Sequence, residues 1–167
     1  GYVARRCERK LQEKHLRMRA VIQRVWEASV EINGEIEGKI DSGLLIFLGI
    51  ETEDSDDDID WLLSKILQMR IFSDVDGKMN ESLLDQNGEL LVISQFTLHA
   101  STKKGNRPSF IKAARPEMAI PLYEEFLKKS EVQIPGKVQS GIFGADMKVR
   151  LLNDGPVTIS LDSKNKE

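Results

Sequence analysis

The sequence predicts an α+β fold in which a barrel-like antiparallel or mixed sheet packs with two main helices. Several segments alternate apolar and polar residues as half-buried strands do, and two segments repeat apolar residues at helical spacing. Strands and helices do not alternate regularly, as they would in a βαβ protein. The 167 residues, 40% of them apolar, are enough for one domain with a hydrophobic core and too few for two comfortable ones. We therefore expect a single domain over residues 18–162.

The N-terminal part of this domain is predicted to be a β-meander. Residues 20–26 and 28–32 alternate apolar and polar side chains, and Asn33-Gly34 is the strongest short hairpin signal available. The apolar run "GLLIFLGI" predicts a buried strand at 44–50. It is the longest apolar run and is too short to cross a bilayer, so no membrane partner is expected.

Two helices are predicted from apolar spacing and helix-start signals. Ser55 is a suitable N-cap, and the acidic residues after it favour a helix N-terminus, so the first helix is expected from about 56 to 70. Pro116 is favoured at the first helical position and predicts a second helix to about Ser130. Pro121 would disturb the first turn of that helix.

Strand patterns and turn signals account for most of the remaining chain. Buried or alternating segments predict strands at 89–96, 131–134, 137–142, 147–152 and 157–162. The run "SDVDGKMN" at 73–80 lacks the twelve-residue loop of a calcium site, and a solvated turn is expected there. Gly155-Pro156 suits a turn that leads into the last strand.

The two ends of the chain differ from the domain between them. Residues 1–17 hold six of the 24 Lys and Arg residues and two of the 27 Asp and Glu residues. We expect them to be an added or upstream extension without order; a transit peptide is less favoured because serine and an apolar stretch are missing. Without them the formal charge is −7, which excludes a globally basic nucleic-acid-binding surface. Residues 163–167 are expected to be a polar tail.

The chemistry available to the domain is narrow. Cys7 is the only cysteine, so a disulfide framework and a Cys-based metal pair are excluded, and a cytoplasmic location is expected. The common metal-binding, phosphate-binding, dinucleotide-binding and nucleophile-elbow motifs are absent. We therefore expect neither a metal nor another cofactor.

The segment "SQFTLHA" at 94–100 collects polar side chains at the end of an apolar strand. On a regular strand Gln95, Thr97 and His99 share one face, and Thr97 lies about 6.6 Å along the strand from His99, too far for a direct hydrogen bond. Three interpretations stay open on spacing alone: a strand end whose side chains cap backbone groups, nucleophilic catalysis by Thr97 or Ser94, and a pocket of backbone amides and small polar side chains.

Four segments in this order, "MRAVIQRV", "SQFTLHA", "NRPSF" and "GIFGADMKVRLLNDGPVTISLD", resemble the D-aminoacyl-tRNA deacylases, also called D-Tyr-tRNA(Tyr) deacylases. The resemblance covers essentially all of residues 18–162. It implies a homodimer of barrel-like subunits that hydrolyses the ester between a D-amino acid and the 3′-terminal adenosine of tRNA. Aminoacyl-tRNA is then the partner, DNA is not expected, and the activity is chiral proofreading in translation.

The resemblance also implies which residues form the site. The implied catalytic segment is Ser94, Gln95, Phe96 and Thr97. A cis Gly155-Pro156 is implied to reach into the partner subunit's pocket and to exclude L-amino acids. Supporting roles fall to Arg24, Phe143 and Met147, and phosphate contacts to Lys103, Lys104 and Arg107 in the basic 101–110 loop. Simple structural interpretations also remain open. Arg24 could be a cation on an exposed strand face, Phe143 and Met147 could pack in the core, and the 101–110 loop could be solvated without binding phosphate.

The mechanism expected from these residues is substrate-assisted hydrolysis. An aminoacyl ester is labile and carries a neighbouring ribose hydroxyl, so positioning and oxyanion stabilisation by the N–H groups of Phe96 and Thr97 are sufficient. Thr97 is expected to position groups because no base is evident near it, and His99 is expected at the pocket rim. Exclusion of a side chain cannot reject glycine, so glycyl-tRNA should also be hydrolysed. The alternatives are a non-catalytic tRNA- or RNA-binding module and a purely structural dimerisation domain.

Overall fold

One long strand organises the sheet of this protein, which is seen in a computed structural model that describes residues 18–166. The strands are β1 (Arg19–Ile32), β2 (Glu35–Ile40), β3 (Gly43–Gly49), β4 (Phe72–Ser73), β5 (Met79–Glu81), β6 (Glu89–Ser94), β7 (Val138–Ser140) and β8 (Lys148–Asp162). The helices are α1 (Asp56–Gln68), α2 (Leu83–Gln86) and α3 (Pro116–Gln133). The expectation for residues 1–17 lies outside the described residues.

Strand β1 has antiparallel neighbours on both of its edges. Its first half pairs with β3 and its second half with β2, while β8 follows it from Arg19–Asp162 to Glu31–Lys148. Strands β3, β6 and β7 continue the sheet in parallel, so the sheet is mixed. At the far side a Cβ on Gly38 of β2 would lie 3.1 Å from the carbonyl oxygen of Ser140 in β7. The sheet thus nearly closes into a barrel, and the predicted α+β barrel-like class is confirmed.

The sheet buries apolar side chains on both faces. Leu44 and Ile46 belong to a cluster that includes helix residues such as Ile59 and Phe126. Leu45 belongs to a second cluster, made of residues from β1, β2, β3 and β6. Burial on both faces explains why the run around β3 is continuously apolar rather than alternating.

The two main helices are confirmed, but several boundaries differ from the prediction. The expected strand at 131–134 is wrong, because α3 continues to Gln133 and the N–H of Ile134 still bonds the carbonyl of Ser130 at 2.9 Å. Helix α1 ends at Gln68, and the short helix α2 was not predicted. The segments 20–26 and 28–32 form one strand, and Trp26 is the extra residue between the pairs Val25–Asn153 and Glu27–Leu152.

Gly155-Pro156 is not a turn between two strands, which corrects the sequence-based expectation. Strand β8 runs through it, with Asn153 opposite Val25 and Thr158 opposite Gln23. Residues 154–157 therefore bulge out of β8 opposite the single residue Arg24. A bulge of this kind keeps the strands paired on either side while it moves the intervening backbone out of the ladder.

The turn predicted at 73–80 is stabilised by an acidic side chain. In the predicted turn at 73–80, the carboxylate of Asp74 accepts the backbone N–H groups of Asp76 and Lys78. The hydrogen bond from the N–H of Lys78 is the main cause of the lowered pKa of Asp74.

Across residues 18–166 we find neither a group of three or more potential metal ligands nor a helix long and apolar enough to span a membrane.

Candidate active site

The segment that begins at Ser94 leaves the sheet instead of continuing as a strand. The N–H of Gln95 makes a last bond to the carbonyl of Leu48 at 2.8 Å, and residues Phe96–His99 then form a 3-10 turn. A Cβ on Gly49 would lie 3.0 Å from the Cβ of Leu98, so glycine lets the turn pack directly on the end of β3. The premise of a regular strand through Thr97 and His99 is therefore wrong.

The side chain of His99 faces the interior rather than the pocket rim. It is 3% exposed, and its Cδ2 would lie 3.1 Å from a Cβ on Gly49. The expected rim position is corrected accordingly. Thr97 is exposed, and its hydroxyl accepts a hydrogen bond from the side-chain amide of Gln95.

A pocket of about 250 Å³ opens beside this turn. Five of the residues singled out in the sequence line it: Ser94, Gln95, Phe96, Phe143 and Met147. They come from the end of β6 with the start of the turn that follows it, and from the segment just before β8, which are distant in sequence. Thr97 is not among the lining residues. The fold thus brings together most, but not all, of the side chains expected near the substrate.

The basic loop begins and ends beside the pocket. Ser101 and Ser109 exchange two backbone hydrogen bonds of 2.8 Å, which close the base of the loop. Directly after this base, the ring of Phe110 meets the ring of Phe96 edge-on, with 5.0 Å between centroids. The three expected phosphate contacts are exposed on the loop: Lys103, Lys104 and Arg107. The loop therefore presents positive charge next to the pocket mouth.

The Gly155-Pro156 peptide bond is cis, and both residues are exposed. Gly155 has a φ of +130° and a Cβ there would lie 2.9 Å from a methyl group of Val157, so the position requires glycine. Below the bulge, Arg24 is 8% exposed and donates Nε to the carbonyl of Asp154 at 3.0 Å and Nη1 to the carbonyl of Ile71 at 2.7 Å. The interpretation of Arg24 as a cation on an exposed strand face is wrong.

The bulge does not line this pocket, since neither Gly155 nor Pro156 is among the lining residues. Two large apolar side chains near the bulge are exposed, Trp26 to 63% on β1 and Leu152 to 48% on the adjacent β8. Contiguous exposed apolar area is typical of a surface that another molecule covers.

Sequence reasoning missed the side chains that hold these two segments in place. Arg19 donates Nη1 to the carbonyl of Leu98 at 2.8 Å and so ties the 3-10 turn to β1. Asn153 bonds across the base of the bulge. The only available signal was a polar residue inside a strand pattern, which by itself does not distinguish a tether from a solvent-facing position.

Comparison with known proteins identifies the family. Residues 21–162 match the family model described as D-Tyr-tRNA(Tyr) deacylase, and the chain belongs to this family of hydrolases. It is 60% identical to a D-aminoacyl-tRNA deacylase of Flavobacterium johnsoniae over 150 residues, and 63% identical to one of Cytophaga hutchinsonii over the same length. In both cases the match covers 90% of this chain and 100% of the relative.

Two solved structures share the fold of this chain. A protein described as c-Myc DNA Unwinding Element Binding Protein superposes with a TM-score of 0.82 at 41% identity, over 86% of this chain and 97% of that one. A probable eukaryotic D-amino acid tRNA deacylase superposes with a TM-score of 0.77 over 88% of this chain and all of the other. At 16% identity the second likeness establishes the shared fold alone.

Proposed function

We propose that this protein hydrolyses the ester bond of D-aminoacyl-tRNA and releases a D-amino acid and free tRNA. The observation that carries the proposal is the pocket formed by Ser94, Gln95 and Phe96 beside an exposed basic loop. An aminoacyl group fits such a pocket while the phosphates of the acceptor end meet the loop. The reaction serves chiral proofreading in translation, which takes place in the cytoplasm.

The size of the pocket supports a division of the substrate between two regions. Pockets that enclose a drug-sized ligand measure roughly 300–1,000 Å³, and the pocket here measures about 250 Å³. It can hold the aminoacyl group, whereas the adenosine and the preceding nucleotides extend over the rim. Phe96, which is 55% exposed, and Phe110 lie at this rim and offer aromatic surface.

The turn after Gln95 supplies the donors for the reaction. The first N–H groups of a helical turn have no acceptor within that turn, so those of Phe96 and Thr97 are available to an oxyanion. They stabilise the negative charge that develops on the ester carbonyl when water attacks. The vicinal ribose hydroxyl of the substrate assists by positioning this water and by relaying its proton to the 3′-oxygen, which leaves as a hydroxyl when the ester bond breaks.

Thr97 positions groups in this mechanism and does not attack the ester. Its hydroxyl is bonded to the amide of Gln95, and an amide cannot act as a general base in either orientation. Thr97→Ala should retain at least about a tenth of the single-turnover rate, since one neutral hydrogen bond contributes roughly 1 kcal/mol. A fall to the rate of uncatalysed ester hydrolysis would restore Thr97 as the nucleophile.

Enantiomer selectivity is assigned to the exposed Gly155-Pro156 bulge of a second subunit. Its carbonyls can accept hydrogen bonds from the amino group of a D-aminoacyl ester and clash with an L side chain. The homodimer covers the apolar surface around Trp26 and Leu152 and brings the bulge of one subunit to the pocket of the other. Glycyl-tRNA has no side chain to exclude and is also hydrolysed.

Complementation between two inactive variants tests whether the site contains parts of two subunits. Gly155→Ala disables the bulge, and Phe96→Pro disables the turn by removing an N–H donor. Mixed dimers contain one site with both parts intact, so mixing and reassociation should recover roughly a quarter of the native rate if dimers form at random. Recovery of no activity, or light scattering that shows a monomer, would contradict the shared site.

The basic loop is proposed to contact tRNA phosphates. Each phosphate contact contributes about 0.7–0.9 to the slope of log affinity against log salt. Replacing Lys103, Lys104 and Arg107 by serine should therefore lower this slope by about 2 and weaken tRNA binding without changing enantiomer selectivity. An unchanged slope would show that the loop is only a solvated connection.

The decisive assay is the release of D-tyrosine from charged tRNA, with L-tyrosyl-tRNA as the control. We expect the D-ester to be hydrolysed and the L-ester to be left intact. Equal rates for both would reject selection by Gly155-Pro156. Binding of tRNA with hydrolysis of neither ester would instead support the non-catalytic RNA-binding module.

A further inference from the structure

Backbone pairing does not hold the Gly155-Pro156 bulge in place. The ladder between β1 and β8 contains the pairs Val25–Asn153 and Gln23–Thr158, and the residues between these pairs are outside it. The direction in which the bulge presents its carbonyls therefore depends on side chains that fix its two ends. Arg24 fixes one end, through the carbonyl of Asp154.

The other end is fixed by a polar network at the base of the bulge. Asn153 donates Nδ2 to Oε1 of Gln23 at 2.7 Å and to Oγ1 of Thr158 at 3.1 Å, while its Oδ1 accepts the N–H of Val157 at 3.1 Å. Thr158 donates its hydroxyl to the same Oε1 of Gln23 at 3.4 Å. The single amide of Asn153 thus joins the residues before and after the bulge to each other and to β1.

We infer that Asn153 and Gln23 are positioning residues that determine enantiomer selectivity by holding the Gly155-Pro156 carbonyls in one orientation. This inference rests on the proposed function. Both residues act through the bulge, in contrast to Ser94 or Phe96, which line the pocket. Their influence is expected to be large, because displacement of a recognising group by about 1 Å can cost roughly 100-fold in rate.

Two substitutions of Gln23 separate a hydrogen-bonding role from a space-filling role. Gln23→Glu keeps an oxygen that accepts hydrogen bonds from both Asn153 and Thr158. Gln23→Met has nearly the same shape and removes that acceptor. A role limited to filling space would be preserved by methionine, whereas a role in holding the bulge would be preserved by glutamate.

The test measures kcat/KM for D-tyrosyl-tRNA and L-tyrosyl-tRNA with native protein and the two Gln23 variants, together with the melting temperature of each. We expect Gln23→Met to raise the L-to-D ratio of kcat/KM by about tenfold or more, and Gln23→Glu to stay within about threefold of native. An unchanged ratio in Gln23→Met, or an equal change in both variants, would overturn the inference. A purely structural role would lower both rates together and leave the ratio constant.

A second measurement does not depend on activity. The N–H of Val157 is held by Asn153 Oδ1, so Asn153→Ala should increase its hydrogen-exchange rate at least about tenfold while amides of β3 and β6 keep theirs. Exchange as slow as in the native protein would overturn the inference. If native protein hydrolyses neither ester, the proposed function fails, and the exchange measurement still decides whether Asn153 holds the bulge.

Discussion

Replacement of Arg24 tests directly how the bulge is supported. Arg24 is 8% exposed and bonds two carbonyls, those of Asp154 and Ile71. A hydrogen bond from a charged donor contributes about 1.5–3 kcal/mol, while removal of a buried charge recovers part of its desolvation cost. We therefore expect Arg24→Met to lower the free energy of unfolding by about 3 kcal/mol. Arg24→Lys should lose about 2 kcal/mol, because one ammonium cannot reproduce the two directed bonds of the guanidinium fork.

Urea unfolding measures this loss, and Arg115→Met is the matched control. Arg115 is exposed and pairs with the exposed Glu117, so its removal should change the free energy of unfolding by less than about 0.5 kcal/mol. Deacylation of D-tyrosyl-tRNA should fall more steeply in Arg24→Lys than its loss of stability alone explains. Equal stability of Arg24→Met and Arg115→Met, at an unchanged m-value, would refute the role given to Arg24.

Two further predictions concern the pocket and the alkaline limit of stability. Gly141→Ala places a Cβ 2.4 Å from the sulfur of Met147, which lines the pocket and must shift, so KM should rise several-fold. Gly88→Ala, whose Cβ would lie 2.6 Å from a methyl group of Leu83, does not touch this pocket and should leave KM unchanged. Burial raises the pKa of Tyr123 to about 12 from 10.0, so its stabilising effect is present below pH 10 and about 3 kcal/mol is lost between pH 10 and 12. Tyr123→Phe should flatten this loss in denaturation measured against pH, and an equally steep loss in the variant would contradict it.

Much of the fold could be predicted because it follows from local periodicity. The apolar spacing of α1 and the N-terminal Pro116 of α3 are local signals, and both helices form where they indicate. The sheet was recognisable for the same reason, since β1 and β8 alternate over most of their length. The class of the site came from a resemblance carried by short motifs, and the fold groups five of their residues around one pocket: Ser94, Gln95, Phe96, Phe143 and Met147.

The features that were missed depend on contacts between segments distant in sequence. Gly155-Pro156 has the local signal of a turn, yet pairing with β1 on both sides keeps β8 continuous and converts the turn into a bulge. In the same way, the alternation through Thr97 and His99 predicts a strand. The end of β3 at Gly49 removes the neighbour that such a strand needs, and the chain turns instead.

Two arginine hydrogen bonds give the segment "MRAVIQRV" a physical role. Arg19 and Arg24 lie on β1, and each donates a hydrogen bond to a backbone carbonyl of a different part of the candidate site, at Leu98 in the 3-10 turn and at Asp154 in the bulge. In the proposed dimer, the turn and the bulge of one subunit serve two different pockets, so one strand sets their separation. In that proposed dimer β1 would link the geometry of the two pockets through Arg19 and Arg24, without either side chain having to touch the substrate.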